Sequence, residues 1–376
     1  MNIVYFVTED NYFLSHRLPI ALYAKKLGHE VFVITKITDK KLKIEGYGFK
    51  LIPLNFNRST LHFIKDIAIF VKLIRVFKTI SPDVVHNVAI KPIIIGSLAS
   101  LFCKNIHVVN AFTGMGFLFT SKLTFKYSVL KFFAKFILKK VVNLNNAHSL
   151  VQNDGDVDFI KTFFGAKIDK ITCIGGSGVD TNYFTSSIKK KEVSARLRVV
   201  TTCRMLKDKG VLDFYEAAII LNNRGVPCTC VFVGGIDLKN PSSIGRGRLN
   251  RWIHDGIIEY HDYTDNVLSI LNDTDIFILA SYREGLSKSI LEAASFGLPI
   301  LSTDIPASKG IVINNCNGFL VPVRNAFDLA NAIEKLVFNQ NLRIKFGEAS
   351  RGIVLKNFSE ERVCKKTLGF YETIIS

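Results

Sequence analysis

Long apolar runs are missing from this 376-residue chain. No window approaches the roughly 18 uninterrupted apolar residues that a membrane-crossing helix needs, and none is expected. The amino-terminal MNIVYFVTED has neither the basic start nor the apolar stretch of a signal peptide. Cys-x-x-Cys pairs are absent as well. The seven cysteines are odd in number and stand apart from any histidine cluster, which argues against a disulfide framework or a zinc centre. A reducing, cytoplasmic compartment is the natural expectation. No constellation of a nucleophile with its base stands out, and neither half shows a repeat or a low-complexity tract.

Acidic residues are also scarce in the first half. Residues 1–185 carry 24 Lys and Arg against 12 Asp and Glu, while the remainder carries 25 against 20. The net charge of +17 therefore resides mainly in the first half. Such a surplus suits nucleic acid, an anionic membrane surface or a phosphorylated substrate; a codon bias towards lysine is the bland alternative. Nucleic acid is disfavoured, because no recognition motif is present and the aromatics fall among apolar residues.

What is present is an alternation of short apolar strands with helical patterns. Strands are expected at 3–8, 30–35, 50–54, 83–86 and 107–110, and helices at 17–27, 61–79 and 92–102. Continuous short apolar strands fit a parallel sheet covered on both faces. A basic, polar stretch, Thr185 to Lys191, reads as a linker. A second βα series follows, with strands at 198–204, 229–233, 257–260 and 276–279, helices at 211–223 and 266–272, and a helical tail from Ala326. The fold class is α/β: two doubly wound, Rossmann-like domains with a ligand crevice between them. The first domain is placed at 1–185 and the second at 192–357. A terminal helix at 358–376 is expected to pack back towards the first.

The segment YREGLSKSILEAASFGLPILST, residues 282–303, carries the most chemistry. It reads strand, loop, helix, strand, and a loop that opens a helix after a parallel strand is an anion site. Glu284 falls in that loop and Glu292 in the second helical turn, on the side facing the same crevice. Carboxylates there accept hydrogen bonds from hydroxyls. A ligand with both a diphosphate and hydroxyls, a sugar nucleotide, fits. Arg204 and Lys209, just after the first strand of the second domain, can neutralise the diphosphate; solvated loop charges are the bland reading of that pair.

These residues, with Gly234-Gly235, Asn317-Gly318 and Val321-Pro322, resemble glycosyltransferase family 4, retaining enzymes of the GT-B fold that use nucleotide sugars. Glu284 and Glu292 match the family's E-x7-E pattern. Ser15-His16-Arg17-Leu18-Pro19, Lys91-Pro92 and Thr113-Gly114-Met115-Gly116 resemble the branch that builds bacterial surface polysaccharides, O-antigen and capsule. The resemblance implies that Arg204 and Lys209 meet the donor diphosphate. It places Glu284 on the transferred sugar and Glu292 on the ribose. Backbone N–H groups around Gly285, Leu286, Ser287 and Lys288 would take the distal phosphate. It also implies front-face substitution with no metal and no cofactor, UDP rather than GDP as the nucleotide, and a polyprenyl-diphosphate-linked saccharide as acceptor. His16, Arg17, Lys91, Thr113 and Gly114 would lie on the acceptor side. The pattern is broken at Glu9-Asp10-Asn11-Tyr12, where many members have a Gly-Gly loop, at Phe112 in place of a His, and at Ala307 and Gly310. His16 and His86 also read as ordinary fold histidines.

Within 122–140, Lys131, Lys135 and Lys139 recur at helical spacing, with Phe132 and Phe136 on a neighbouring face. A basic, aromatic helix suits an anionic membrane surface; a plain solvated helix is the alternative. The chain is thus expected to be cytoplasmic and peripheral on the inner face of the cell membrane. Two rivals remain: a sugar-nucleotide epimerase of the same fold, which needs acids and histidines where the first half is poor in acids, and a non-catalytic sugar-nucleotide-binding subunit.

Overall fold

The computed structural model describes residues 1–55, 63–113, 125–185, 196–238 and 240–376, with side chains from 66 and 132 onward in the helices that begin at 63 and 125. Seven strands form the first sheet: β1 (Asn2–Glu9), β2 (Glu30–Lys36), β3 (Lys50–Pro53), β4 (Val84–Val88), β5 (His107–Ala111), β6 (Ala147–Val151) and β7 (Ile171–Cys173). Their spatial order is β3-β2-β1-β4-β5-β6-β7, and every pairing is parallel. Residues 3–7 of β1 are all buried, which explains why the strand reads as an unbroken apolar run.

The second sheet has β8 (Leu197–Thr202), β9 (Cys228–Val233), β10 (Ile258–His261), β11 (Ile276–Leu279), β12 (Ile300–Thr303) and β13 (Gly318–Val321) in the order β10-β9-β8-β11-β12-β13, again all parallel. Both sheets are Rossmann-like and doubly wound.

The chain divides into two units, Met1–Ser177 with Glu360–Ser376, and Gly178–Ser359. The first division falls before the expected 185. Val179 and Phe184 are buried in the cluster that holds Leu279 and Ile290, and the Arg351 guanidinium donates to the Phe184 carbonyl at 3.2 Å. From Ser186 on, the expected linker lies outside the described residues. The carboxyl-terminal tail is helical, as expected, and consists of three helices: Ala326–Val337, Gln340–Asn357 and Glu360–Ile375. The first break is made by Asn339, whose side chain caps the second helix by accepting from Leu342 N–H at 2.9 Å. In the last helix Val363, Cys364, Leu368 and Tyr371 share one buried cluster with Ile3, Tyr5 and Val7 of β1. No helix among the described residues is long and apolar enough to cross a membrane.

Candidate active site

In the second sheet the strand order reverses between β8 and β11, which are parallel neighbours. Ligands of open parallel sheets bind beyond the carboxyl ends of the strands at such a reversal. From β8 the chain enters a 3₁₀ turn, Lys207–Lys209, and then helix Val211–Asn223. From β11 it runs through 280–287 into helix Lys288–Phe296. Gly210 lets the two exits meet. Its φ is +69°, and a Cβ there would stand 1.9 Å from the Ala280 carbonyl oxygen. Gly234, after β9, is constrained the same way, because a Cβ would stand 2.0 Å from the Cys203 carbonyl oxygen.

The charged residues expected to meet a ligand meet one another. The Lys209 ammonium is ion-paired with Glu284 Oε1, and the Ser281 hydroxyl donates to the same oxygen at 2.7 Å. Among the described residues no donor reaches Glu284 Oε2, which leaves that oxygen to accept from a ligand. Arg204 is paired with Asp237 at 2.9 Å on a half-exposed surface. Exposed pairs of this kind stabilise by about 0–1 kcal/mol, so a diphosphate can displace Asp237 at small cost.

Glu292 sits in the second turn of helix Lys288–Phe296 with its side chain 12 % exposed. Burial pushes its carboxyl up to about 7, and Lys288, 4.0 Å away, offsets only part of that shift. Ser287 caps the helix, its hydroxyl accepting from Ile290 N–H at 3.4 Å and lying 3.0 Å from the Ser289 hydroxyl. Gly285 and Leu286 lie half-buried in the loop before it. The helix therefore directs the positive end of its dipole at the loop that carries Glu284. Two cations, a carboxylate oxygen open to hydroxyl donors and a helix amino terminus can hold an anion that carries hydroxyls.

One family model, described as "Glycosyl transferases group 1", matches residues 196–339, and a second, "Glycosyl transferase 4-like", matches 2–150. The chain belongs to the family 4 glycosyltransferases. As in other members, the GT-B fold supplies the two parallel sheets. Anabaena HepE in complex with UDP and glucose superposes with a TM-score of 0.78 over 99% of both chains at 16% identity. A curated relative, the Campylobacter jejuni N,N'-diacetylbacillosaminyl-diphospho-undecaprenol alpha-1,3-N-acetylgalactosaminyltransferase, is 28% identical over 96% of this chain and 98% of its own. The Escherichia coli UDP-Gal:alpha-D-GlcNAc-diphosphoundecaprenol alpha-1,3-galactosyltransferase is 28% identical over 76% of this chain and 74% of its own.

The first unit of this glycosyltransferase treats the acceptor-side residues unequally. Arg17 is turned inward and 2 % exposed, its Nη1 donating to the His16 carbonyl at 2.9 Å. His86 is fully buried with Nδ1 2.5 Å from the Tyr371 hydroxyl. Burial, with Arg17 nearby, holds its imidazole well below the ordinary range. Both are core residues. His16 stacks on Tyr12 with ring centroids 4.2 Å apart. Lys91 is tied to Asp66 at 2.7 Å. Thr113 is half-buried, and Gly114 lies outside the described residues.

Helix Phe125–Val141 buries Leu138 and Val141 but leaves Phe132 68 %, Phe133 57 % and Phe136 58 % exposed beside exposed Lys135, Lys139 and Lys140. Lys135 also lies over the Phe163 ring, 4.0 Å from its centroid. The Lys131 side chain is outside the described residues. Three solvent-exposed phenylalanines on one short stretch exceed what a solvated helix needs.

Asp237, Ser281 and Tyr282 escaped the sequence reading. The signal available for the first was the Gly-Gly turn two residues before it. For the other two it was their place between strand β11 and Glu284.

Proposed function

We propose that the enzyme transfers a sugar from a UDP-sugar to a hydroxyl of a polyprenyl-diphosphate-linked saccharide, with retention at the anomeric carbon, during synthesis of a bacterial surface polysaccharide. The pairing of Lys209 with Glu284 at the reversal of the second sheet carries this reading, because it sets a cation and a hydroxyl acceptor side by side. UDP, or a diphospho-undecaprenol acceptor, occurs in the names of the relatives from Campylobacter jejuni and Escherichia coli and of the Anabaena protein.

In the step itself the bond from the sugar's anomeric carbon to the β-phosphate oxygen breaks, and its electron pair leaves with UDP. The acceptor hydroxyl oxygen bonds to the same face of that carbon, and its proton passes to a departing phosphate oxygen. Arg204 and Lys209 stabilise the charge that grows on the leaving diphosphate, so no metal or cofactor is required. Glu284 Oε2 accepts from a hydroxyl of the migrating sugar, and Glu292 accepts from the ribose. Loop residues 285–288 surround the distal phosphate. Of the acceptor-side residues, His16 and Thr113 remain candidates to contact the acceptor, whereas Arg17 supports that surface from within.

The exposed Phe132 and Phe136, with Lys135 and Lys139 and in line with Lys131, hold the enzyme peripherally on the anionic inner face of the cell membrane. Each lysine near such a surface contributes about 1 kcal/mol.

Incubation with UDP-sugars and lipid-diphosphate saccharides from a membrane extract tests the reading. Sugar transfer into the lipid phase, with the donor's anomeric configuration kept in the product, is expected. Conversion of one UDP-sugar into its epimer without acceptor would replace the reading with an epimerase, and binding without turnover would replace it with a non-catalytic subunit.

A further inference from the structure

We propose that Tyr282 is a positioning residue for sugar transfer, locking the loop that carries Glu284 to the turn that carries Lys209. The inference rests on the assignment of those two residues to the sugar–diphosphate end of the donor.

Tyr282 makes three contacts, each to a different part of the site. Its backbone N–H donates to the Asp208 carbonyl at 2.9 Å, one residue before Lys209. Its hydroxyl donates to Asp213 Oδ1 at 3.0 Å, in the first turn of helix Val211–Asn223. Its ring lies under the Arg324 guanidinium, 4.9 Å from the ring centroid. Immediately before it, Ser281 holds Glu284 Oε1 through its hydroxyl, while the Ser281 carbonyl accepts from the Thr303 hydroxyl. The short loop is thus fixed at Ser281 and Tyr282, just before Glu284.

Asp213 makes the hydroxyl contact matter. Its side chain is buried, and Oδ2 has no hydrogen-bond partner. A buried carboxylate is unfavourable unless hydrogen-bonded. Among the described residues the Tyr282 hydroxyl is the group that donates to its other oxygen, with the positive charge of Arg324 close by. Arg324 adopts φ +58°, a left-handed conformation that costs a non-glycine residue about 1–2 kcal/mol. Such strain persists where the surroundings over-determine it, often at functional sites. Burial, with Asp213 alongside, pushes the Tyr282 hydroxyl up to about 12, so it stays a donor across the working pH range.

Tyr282→Phe removes the hydroxyl, and with it the Asp213 hydrogen bond and the hydroxyl's interaction with Arg324, leaving the ring and the backbone bond. It is expected to lower kcat about tenfold, measured as UDP release from whichever of UDP-galactose, UDP-glucose and UDP-N-acetylgalactosamine the wild type turns over, and to leave the Kd for UDP within about twofold. Asp213→Asn, which keeps an oxygen for the tyrosine, should retain most of the activity, whereas Asp213→Ala should match Tyr282→Phe. In a Glu284→Gln background the Tyr282→Phe effect should shrink below about twofold, because the pair it positions is gone. Wild-type kcat in Tyr282→Phe overturns the proposal. So does an undiminished tenfold loss in the double variant, which marks a general fold defect. Wild-type turnover in Glu284→Gln by itself would instead overturn the underlying site assignment.

Discussion

The Lys209 ammonium and the Glu284 carboxylate are held together as an ion pair across the reversal of the second sheet, with the Ser281 hydroxyl on the same carboxylate oxygen. The two residues are 75 positions apart in sequence and arrive from neighbouring parallel strands. In the proposed reaction the pair opens towards the donor: the lysine turns to phosphate while the carboxylate takes a sugar hydroxyl.

Arg204 presents the opposite situation, a cation on the surface with a counter-charge easy to exchange. Arg204→Ala should weaken UDP binding about tenfold by calorimetry. Asp237→Ala should leave it unchanged or tighten it, because in the proposed reaction Asp237 gives up Arg204 to the diphosphate. Equal weakening by both substitutions would show that the pair itself, and not the free arginine, is the binding element.

Glu292 predicts a pH dependence. Its folded-state pKa is raised, from an ordinary 4.5 to about 7, chiefly by burial. The neutral form is therefore the one the fold favours. The stability this contributes is complete below about pH 4.5 and is lost as pH rises through about 7. The loss approaches 3 kcal/mol as an order of magnitude. Urea unfolding of wild type and Glu292→Gln at pH 5, 6, 7 and 8 should diverge with pH, the glutamine variant losing less. Parallel curves would contradict the assignment. If the proposed ribose contact holds, the same substitution should weaken UDP at pH 8, where the wild-type carboxylate is ionised.

The aromatic helix makes a prediction separate from catalysis. Phe132→Ala with Phe136→Ala should cut binding to vesicles of anionic phospholipid, and Lys135→Glu with Lys139→Glu should cut it further at low salt. Sedimentation of the protein with vesicles reads both, and UDP binding serves as a control that should not change. Undiminished vesicle binding in all four substitutions together would remove the membrane role from this helix.

Gly210 tests the architecture of the site. Any side chain there meets the Ala280 backbone and must also adopt φ +69°. Gly210→Ala should destabilise the protein by about 2–4 kcal/mol in urea unfolding and lower turnover through the displaced turn. Gly225, also at positive φ but facing open space, should tolerate alanine at about 1 kcal/mol.

Much of this fold was legible because parallel strands buried on both faces are short and uniformly apolar, as at Ile3–Val7 and Ile276–Leu279. Strand β6 escaped because His148 and Ser149 interrupt its apolar pattern, although Ser149 is buried. Strand β7 is three residues long, too short for any periodicity. Loop position and charge single out the residues proposed for the donor end, whereas their mutual pairing was not legible. A lysine and a glutamate on separate loops read equally well as two ligand contacts. Arg17 shows the limit most clearly. Beside His16 at the turn between two helices it reads as a surface cation, and only the fold, which shares its surroundings with His86 and Tyr371, makes it a core residue.

The most direct measurement follows labelled sugar from UDP-sugars into organic-extractable lipid, comparing wild type with Lys209→Ala at saturating acceptor. The account predicts transfer by the wild type and a fall of about 10²–10³ in rate for the variant, with the fold intact by circular dichroism. Lipid labelling by Lys209→Ala at the wild-type rate would contradict it.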